Sequence, residues 1–275
     1  PPQVAGPLER PRNLLPQMKT ALPIRIDDLQ AGLFLIGMGL LKKLLISNRL
    51  FVLLQSQLAS PDQLAGWQAA SFGTVALFAV YLDIAAYTDI ARGSARLFGI
   101  QLMKNFNRPI TALSLGDFWK RWHVSLTSWM MNYLFRPIAG MSRSRPFRHL
   151  ALIFTFVMIG LWHGPTVPVV LMGLLQGVVI SAERIAANRG LQMPDTPAYN
   201  LLRLLRVHLI LNVSGVLFLS PDMGVATQIY RSAGRAFSTW GECAIDGQLG
   251  GFYFISLILI ASLAVWVIGR LQEKP

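Results

Sequence analysis

Long apolar runs constrain this chain more than any other feature. They are Leu29 to Leu50, Trp67 to Ala86, Leu150 to Trp162, Val167 to Ala182 and Phe252 to Ile268. A hydrocarbon core about 30 Å thick takes about 20 predominantly apolar residues per helical crossing, and each run comes close to that length. A sixth, Leu201 to Leu219, carries Arg203, Arg206 and His208 near its start. In lipid each backbone polar group must be satisfied internally, so runs of this kind are expected to be helices. The expected fold class is therefore all-α, a polytopic membrane protein. Composition agrees: 53% of residues are hydrophobic and 14% charged, against roughly 45–50% and 25% in soluble domains.

The net charge of +12 raises the question of nucleic acid. The Lys and Arg residues are scattered through the connecting segments and form neither one basic face nor a nucleic-acid motif, so no nucleic-acid partner is expected. Membrane lipids suit them better, because juxtamembrane Lys and Arg are attracted to acidic headgroups. Lys42-Lys43 and the group Arg143, Arg145, Arg148 stand where segments should meet the interface. Basic residues occur in nearly every loop, so their distribution gives no orientation. Cys243 is the single cysteine, which rules out an internal disulfide and a cysteine-based metal site. The chain opens Pro1-Pro2-Gln3 without Met or a signal-peptide pattern, so it reads as a piece of a longer protein.

Residues 1–27 hold six prolines and read as an ordered loop or interfacial segment. In Gly32-Leu-Phe-Leu-Ile-Gly37-Met-Gly39 the small residues permit close helix approach, and the interruption at Lys42-Lys43 predicts a bent helix. Asp83 and Asp89 fall toward the end of the Trp67 run, and carboxylates there are costly unless paired or wet. Asp89 and Arg92 share a helix face at i,i+3, whereas Asp83 lacks a neighbour at that spacing.

Residues 113–138 read as one amphipathic helix, interfacial or re-entrant. At about 100° per residue Phe118, Trp122, Leu126, Trp129 and Tyr133 fall within roughly 80° of arc. A dry crossing there would bury Lys120, Arg121 and His123. Ser114 and Asp117 resemble a capping box. Residues 188–200 and 220–250 read as polar connections. Asn212-Val213-Ser214 matches a glycosylation sequon but lies inside an apolar run.

The four histidines, His123, His149, His163 and His208, show no spacing of a helical metal site, and no metal is expected. A Gly-x-Ser-x-Gly elbow, a phosphate-cradling glycine loop and a glycosidase-like carboxylate pair are all missing from the sequence. His163 stands apart because it ends an apolar stretch and precedes Gly164-Pro165. Proline disfavours helix at the preceding residue. A helix that stops inside a bilayer is tolerated where protein or a water-filled cavity surrounds it, so the imidazole is expected to face an internal cavity. There it could act as a general base or serve as a hydrogen-bonded packing histidine, and the residues alone leave both readings open.

Several blocks of the sequence resemble the membrane-bound O-acyltransferases, in the branch of the alginate O-acetylation proteins and teichoic-acid D-alanyl transferases. They are Val4-Ala-Gly-Pro-Leu-Glu-Arg-Pro-Arg-Asn-Leu-Leu-Pro-Gln17, Tyr87-Thr-Asp-Ile-Ala-Arg-Gly93, Phe98-Gly99, Asn105-Phe-Asn-Arg-Pro109, Phe118-Trp-Lys-Arg-Trp-His123-Val-Ser-Leu126 with Trp129, and Gly160-Leu-Trp-His-Gly164. The resemblance covers roughly residues 4–185, and its two histidines lie 40 positions apart.

It implies one membrane domain over 1–275 of that family's bundle type, with broken and re-entrant or interfacial helices and the family's amino-terminal helices lacking. Residues 150–185 would be the helices around the catalytic histidine. It further implies that His163 is that histidine and His123 a second active-site histidine. Trp119, Trp122, Trp162, Arg121, Asn107 and Asp89 would bind substrate or line the cavity. Met131-Asn132, Met172 and Gln176 depart from residues common in the family.

The implied reaction moves an acetyl group from a cytoplasmic thioester donor, acetyl-CoA or an acyl carrier, with no bound cofactor. The acceptor would be hydroxyls of an extracytoplasmic polysaccharide such as an alginate-like exopolysaccharide, cellulose or peptidoglycan, reached directly or through a periplasmic partner protein. The location would be the bacterial cytoplasmic (inner) membrane. Transfer of D-alanyl or another acyl group to a cell-envelope polymer is the nearest alternative. A transporter with Asp83 or Asp89 along its path, or a non-catalytic scaffold, would be other classes, though no inverted repeat of a transporter kind is present.

Overall fold

The computed structural model describes residues 7–19, 25–191 and 194–235. Every regular element among them is helical: α1 (Pro11–Lys19), α2 (Ile26–Leu41), α3 (Asn48–Ala59), α4 (Gly66–Arg96), α5 (Leu115–Arg121), α6 (Val124–Met130), α7 (Arg136–Gly140), α8 (Arg145–His163), α9 (Val167–Asn188), α10 (Pro197–Leu219) and α11 (Met223–Arg235). The span expected at Phe252 to Ile268 lies outside the described residues. Five helical stretches are long and apolar enough to cross a membrane: Ile26–Ala59, Gly66–Arg96, Arg145–His163, Val167–Asn188 and Pro197–Leu219. They bear out four of the five runs and the sixth, Leu201 to Leu219. Outward side chains such as Leu33, Leu44, Leu45, Val52 and Leu209 are exposed, as suits helices whose solvent is lipid.

The chain forms two compact units. One comprises residues 1–50 and 79–155, the other residues 51–78 and 156–275.

In the first unit α2 runs antiparallel to the carboxy-terminal part of α4 along a seam of small residues. A Cβ on Gly32 would come within 2.9 Å of the Gly93 oxygen, and one on Gly39 within 2.7 Å of the Ala86 oxygen. The third glycine of the expected small-residue stretch, Gly37, faces open space. The predicted bend takes the form of a π-helical turn, Lys42–Ser47, joining α2 to α3.

That turn changes the reading of the lysines. They do not point at headgroups: Lys42 pairs with Asp89 at 2.5 Å, and Lys43 pairs with Asp83. Ser47 also donates to Asp83, at 3.1 Å. Asp89 further faces Arg92 at 3.7 Å, and Asp28 of α2 pairs with Arg96 of α4 at 2.7 Å. With its carboxylates compensated in this way, α4 continues to Arg96, ten residues past the end of the apolar run. At 1.5 Å per residue it is about 46 Å long.

Residues 113–138 are not one helix. α5 ends at Arg121, His123 adopts φ 42° and ψ 52°, and α6 starts at Val124. A left-handed residue stops the i to i−4 ladder whatever the hydrophobic period on either side, so the expected continuous aromatic stripe divides. Phe118, Trp122 and Leu126 are buried, whereas Trp129 and Tyr133 are exposed.

In the second unit the amino-terminal part of α4 packs on α10 at backbone distance. A Cβ on Gly73 would overlap the Asn212 oxygen, and one on Gly215 would come within 2.3 Å of the Gly73 oxygen. α8 and α9 form an equally close hairpin, with Gly160 against the Val169 oxygen and Gly173 against the Phe156 oxygen. Gln176 of α9 donates to Ser214 of α10 at 2.7 Å, a hydrogen bond of the kind that joins helices in lipid. Within 220–250, expected to be a connection, residues 223–235 form α11. Asp222 caps it by accepting from Val225 N at 3.0 Å, and Ala226, Ile229 and Ser232 form its buried face.

Candidate functional site

The site residues of the first unit gather around the break between α5 and α6. Ser114 caps α5, its hydroxyl accepting from Asp117 N at 3.0 Å, while the Asp117 carboxylate pairs with Arg121 at 2.9 Å. Arg121 also donates to the Thr111 hydroxyl at 3.3 Å. Trp119 and Trp122 are buried. Trp122 stacks on Phe118 with centroids 5.1 Å apart and meets Phe106 edge-on at 5.2 Å and Tyr81 at 5.8 Å. These rings make a rigid wall, since aromatic pairs at such separations add specific geometry to their area burial.

His123 stands at the edge of that wall, edge-on to Phe106 at 6.3 Å. Its Nδ1 is buried without a hydrogen-bond partner among the described residues. Burial pushes the imidazole below the usual histidine range, against a smaller opposing effect of a backbone hydrogen bond. The neutral ring so favoured keeps one N–H to donate and one nitrogen to accept. Two residues on, the Ser125 hydroxyl is likewise buried and has no partner among the described residues. It borders a cavity of about 300 Å³ that Ser128, Trp129, Tyr133, Glu9 and Arg10 also line.

Asn107 is exposed and contributes its backbone N–H to the Arg121 carbonyl at 2.9 Å. Asp89 sits in α4 on Lys42 and Arg92. A residue outside the expected set, Asn105, is buried between α4 and the break, with hydrogen bonds to both. It lies within the quoted Asn-Phe-Asn-Arg-Pro block, but nothing in its spacing marks it as an organiser of His123.

In the second unit, α8 ends at His163 and α9 begins at Val167, so the break expected from Gly164-Pro165 is present. The imidazole expected to face an internal cavity lies at the surface of the described residues. His163 is exposed, as is Trp162, and its ring meets Phe218 edge-on at 4.9 Å. The reason is local: a three-residue turn puts the last residue of α8 at the tip of a tight hairpin. The Thr166 hydroxyl, in the same turn, is buried and has no partner among the described residues.

The sequence is similar to several bacterial proteins. It is 29% identical over 278 residues to "Probable alginate O-acetylase AlgI" of Azotobacter vinelandii, covering 99% of this chain and 54% of that protein. It is 28% identical over 233 residues to the peptidoglycan O-acetyltransferase of Helicobacter pylori, covering 84% and 44%. With the teichoic acid D-alanyltransferase of Bacillus subtilis it shares 26% over 190 residues, covering 64% and 47%. The chain thus spans about half the length of the curated relatives it matches. Residues 1–219 match the profile described as MBOAT, membrane-bound O-acyltransferase family. Helices able to cross a membrane, the two histidine blocks and this match over most of the chain lead to one conclusion: the chain belongs to the membrane-bound O-acyltransferase family.

Proposed function

We propose that the protein transfers an acyl group, acetyl in the first instance, from a cytoplasmic thioester to hydroxyls of a cell-envelope polysaccharide, directly or through a partner protein outside the membrane. The bacterial inner membrane is its proposed location. The observation that carries this reading is that relatives named for alginate, peptidoglycan and teichoic acid each match most of this chain. Three acceptors differ; acyl transfer is what they have in common.

In the proposed reaction His163 removes the proton of the acceptor hydroxyl as its oxygen attacks the thioester carbonyl. The carbonyl π electrons move to oxygen, and collapse of this tetrahedral oxyanion expels the thiolate, which takes the proton back from His163. His123 is the proposed donor to the oxyanion. Support comes from its burial, which favours the neutral ring, and from the unused Nδ1. Removing one donor of this kind elsewhere typically slows turnover about 10²–10³-fold. Trp119, Trp122 and Trp162 are proposed to shape the approach to the site and not to react. Arg121, held by Asp117, and Asp89, held by Lys42, support it through structure.

The test is His163→Ala in the full-length protein, with ester-linked acetate on surface glycans quantified against matched membrane abundance. Loss of acetate is expected, and undiminished acetylation by a correctly inserted variant would overturn the assignment. Mass analysis of the esters released by the unmodified protein separates acetyl from D-alanyl transfer, the second reading that the Bacillus subtilis relative favours.

A further inference from the structure

α6 begins without a cap of its own. The first backbone N–H groups of any helix lack intrahelical acceptors, and the residue just before the helix commonly supplies one from its side chain. Here that residue is His123, whose side chain makes no such bond. Asn105 supplies acceptors for two of these N–H groups: its carbonyl oxygen accepts from Val124 N at 2.9 Å and its Oδ1 from Ser125 N at 3.1 Å.

The same amide is anchored on its far side, where Nδ2 donates to the Thr88 hydroxyl of α4 at 3.3 Å. Two residues along, Asn107 N donates to the Arg121 carbonyl at 2.9 Å. Residues 105 and 107 therefore hold the chain on both sides of His123, and Phe106 between them carries the ring that His123 packs against. Asn105 itself is 1% exposed.

We infer that Asn105 is a positioning residue for His123, a helix cap supplied from elsewhere in the chain that fixes the direction of the imidazole. The inference rests on the proposed role of His123 in acyl transfer. A residue with a Cβ is unfavourable in the left-handed region and persists there only where its surroundings over-determine it. Without the Asn105 amide, the cheapest relaxation returns His123 to right-handed φ and fuses α5 with α6. The ring then swings away from Phe106. Displacement by about 1 Å is enough to cost on the order of 100-fold in rate.

The test uses the full-length protein in membranes at matched abundance, with labelled acetyl donor and initial rates of ester formation. Asn105→Ala should lower kcat on the order of 100-fold with KM changed less than about twofold. Asn105→Asp keeps an acceptor for Ser125 N–H, and the Thr88 hydroxyl can turn to donate to it. This variant should recover to within about tenfold of the unmodified protein. The double variant Asn105→Ala, His123→Ala should be no slower than His123→Ala alone, because residues that act as a unit give non-additive losses.

Multiplying losses in the double variant would overturn the inference. So would an Asn105→Asp rate as low as that of Asn105→Ala, or an Asn105→Ala defect confined to the amount of inserted protein. A fully active His123→Ala protein refutes the proposed role of His123 itself and the positioning inference with it. That outcome is recognised from the single variant, whatever the Asn105 variants do.

Discussion

Replacing Asp89 with Asn should damage the protein far more than replacing Lys42 with Met, although the two residues form one ion pair. Asp89 is 5% exposed, with Lys42 Nζ at 2.5 Å and Arg92 Nη1 at 3.7 Å. Removing one partner of a buried pair typically costs about 3–5 kcal/mol, because a charge is left without compensation. Asp89→Asn leaves two cations facing a neutral amide and belongs at the top of that range. Lys42→Met leaves Asp89 with Arg92 and belongs below it, at about 1–2 kcal/mol.

At about 2–4 °C per kcal/mol for a chain of this size, the Asn variant should melt roughly 10–20 °C lower and the Met variant only a few degrees lower. The assay is thermal unfolding of the full-length protein in detergent, followed by the loss of the monodisperse peak. The double variant should recover part of the Asp89→Asn loss, since Lys42 no longer needs an anion. Equal losses from the two single variants, or losses that add in the double, would refute this account of α4.

Three other outcomes are expected. Gly215→Ala should destabilise by about 1–3 kcal/mol or more, as overpacking does, because the new Cβ meets the Gly73 backbone, whereas Gly37→Ala should not destabilise; similar melting temperatures for the two variants would contradict the close α4–α10 contact. His123 has a lowered pKa in the folded state, so its contribution to stability is fully present above the ordinary histidine value of about 6.5 and is lost as pH falls from there toward the folded-state pKa. Melting between about pH 8 and pH 5 should therefore decline more for the unmodified protein than for His123→Gln, and parallel pH slopes would exclude a buried neutral ring. Gln176→Leu should cost about 0.6 kcal/mol, the typical worth of a hydrogen bond between membrane helices, and leave acetylation nearly intact; abolished activity at normal abundance would give Gln176 a part in the chemistry.

The spans were legible because lipid as solvent writes itself into the sequence as apolar runs, and α8, α9 and α10 follow those runs closely. The end of α4 was less so. Asp83 and Asp89 look like the margin of a crossing until their partners are known, and Lys43 and Lys42 are 40 and 47 residues away in the chain. The same separation made the lysines look like headgroup ligands. At residues 113–138 the periodicity of apolar residues continues across Trp122-His123, so it could not show the left-handed turn, which depends on acceptors supplied by Asn105. The exposure of His163 was hidden for a related reason. Gly164-Pro165 fixes where α8 stops, but it does not show that α9 resumes only three residues later and leaves the imidazole at the tip of a hairpin. α11 is not legible in the sequence because a short helix with one buried face of Ala226, Ile229 and Ser232 has little hydrophobic signal against its polar flanks.

The π-helical turn at Lys42–Ser47 has a consequence for how this region can tolerate change in length. A π turn carries one residue more than the α turn it replaces, so it behaves as an insertion that the helix has absorbed. Deleting a single residue there should restore ordinary α geometry and leave the faces of α2 and α3 in phase, while removing one of the side chains that the widened turn presents. In relatives, a one-residue gap at this point should therefore coincide with loss of the lysine that reaches Asp83, and the two changes should be found together or not at all.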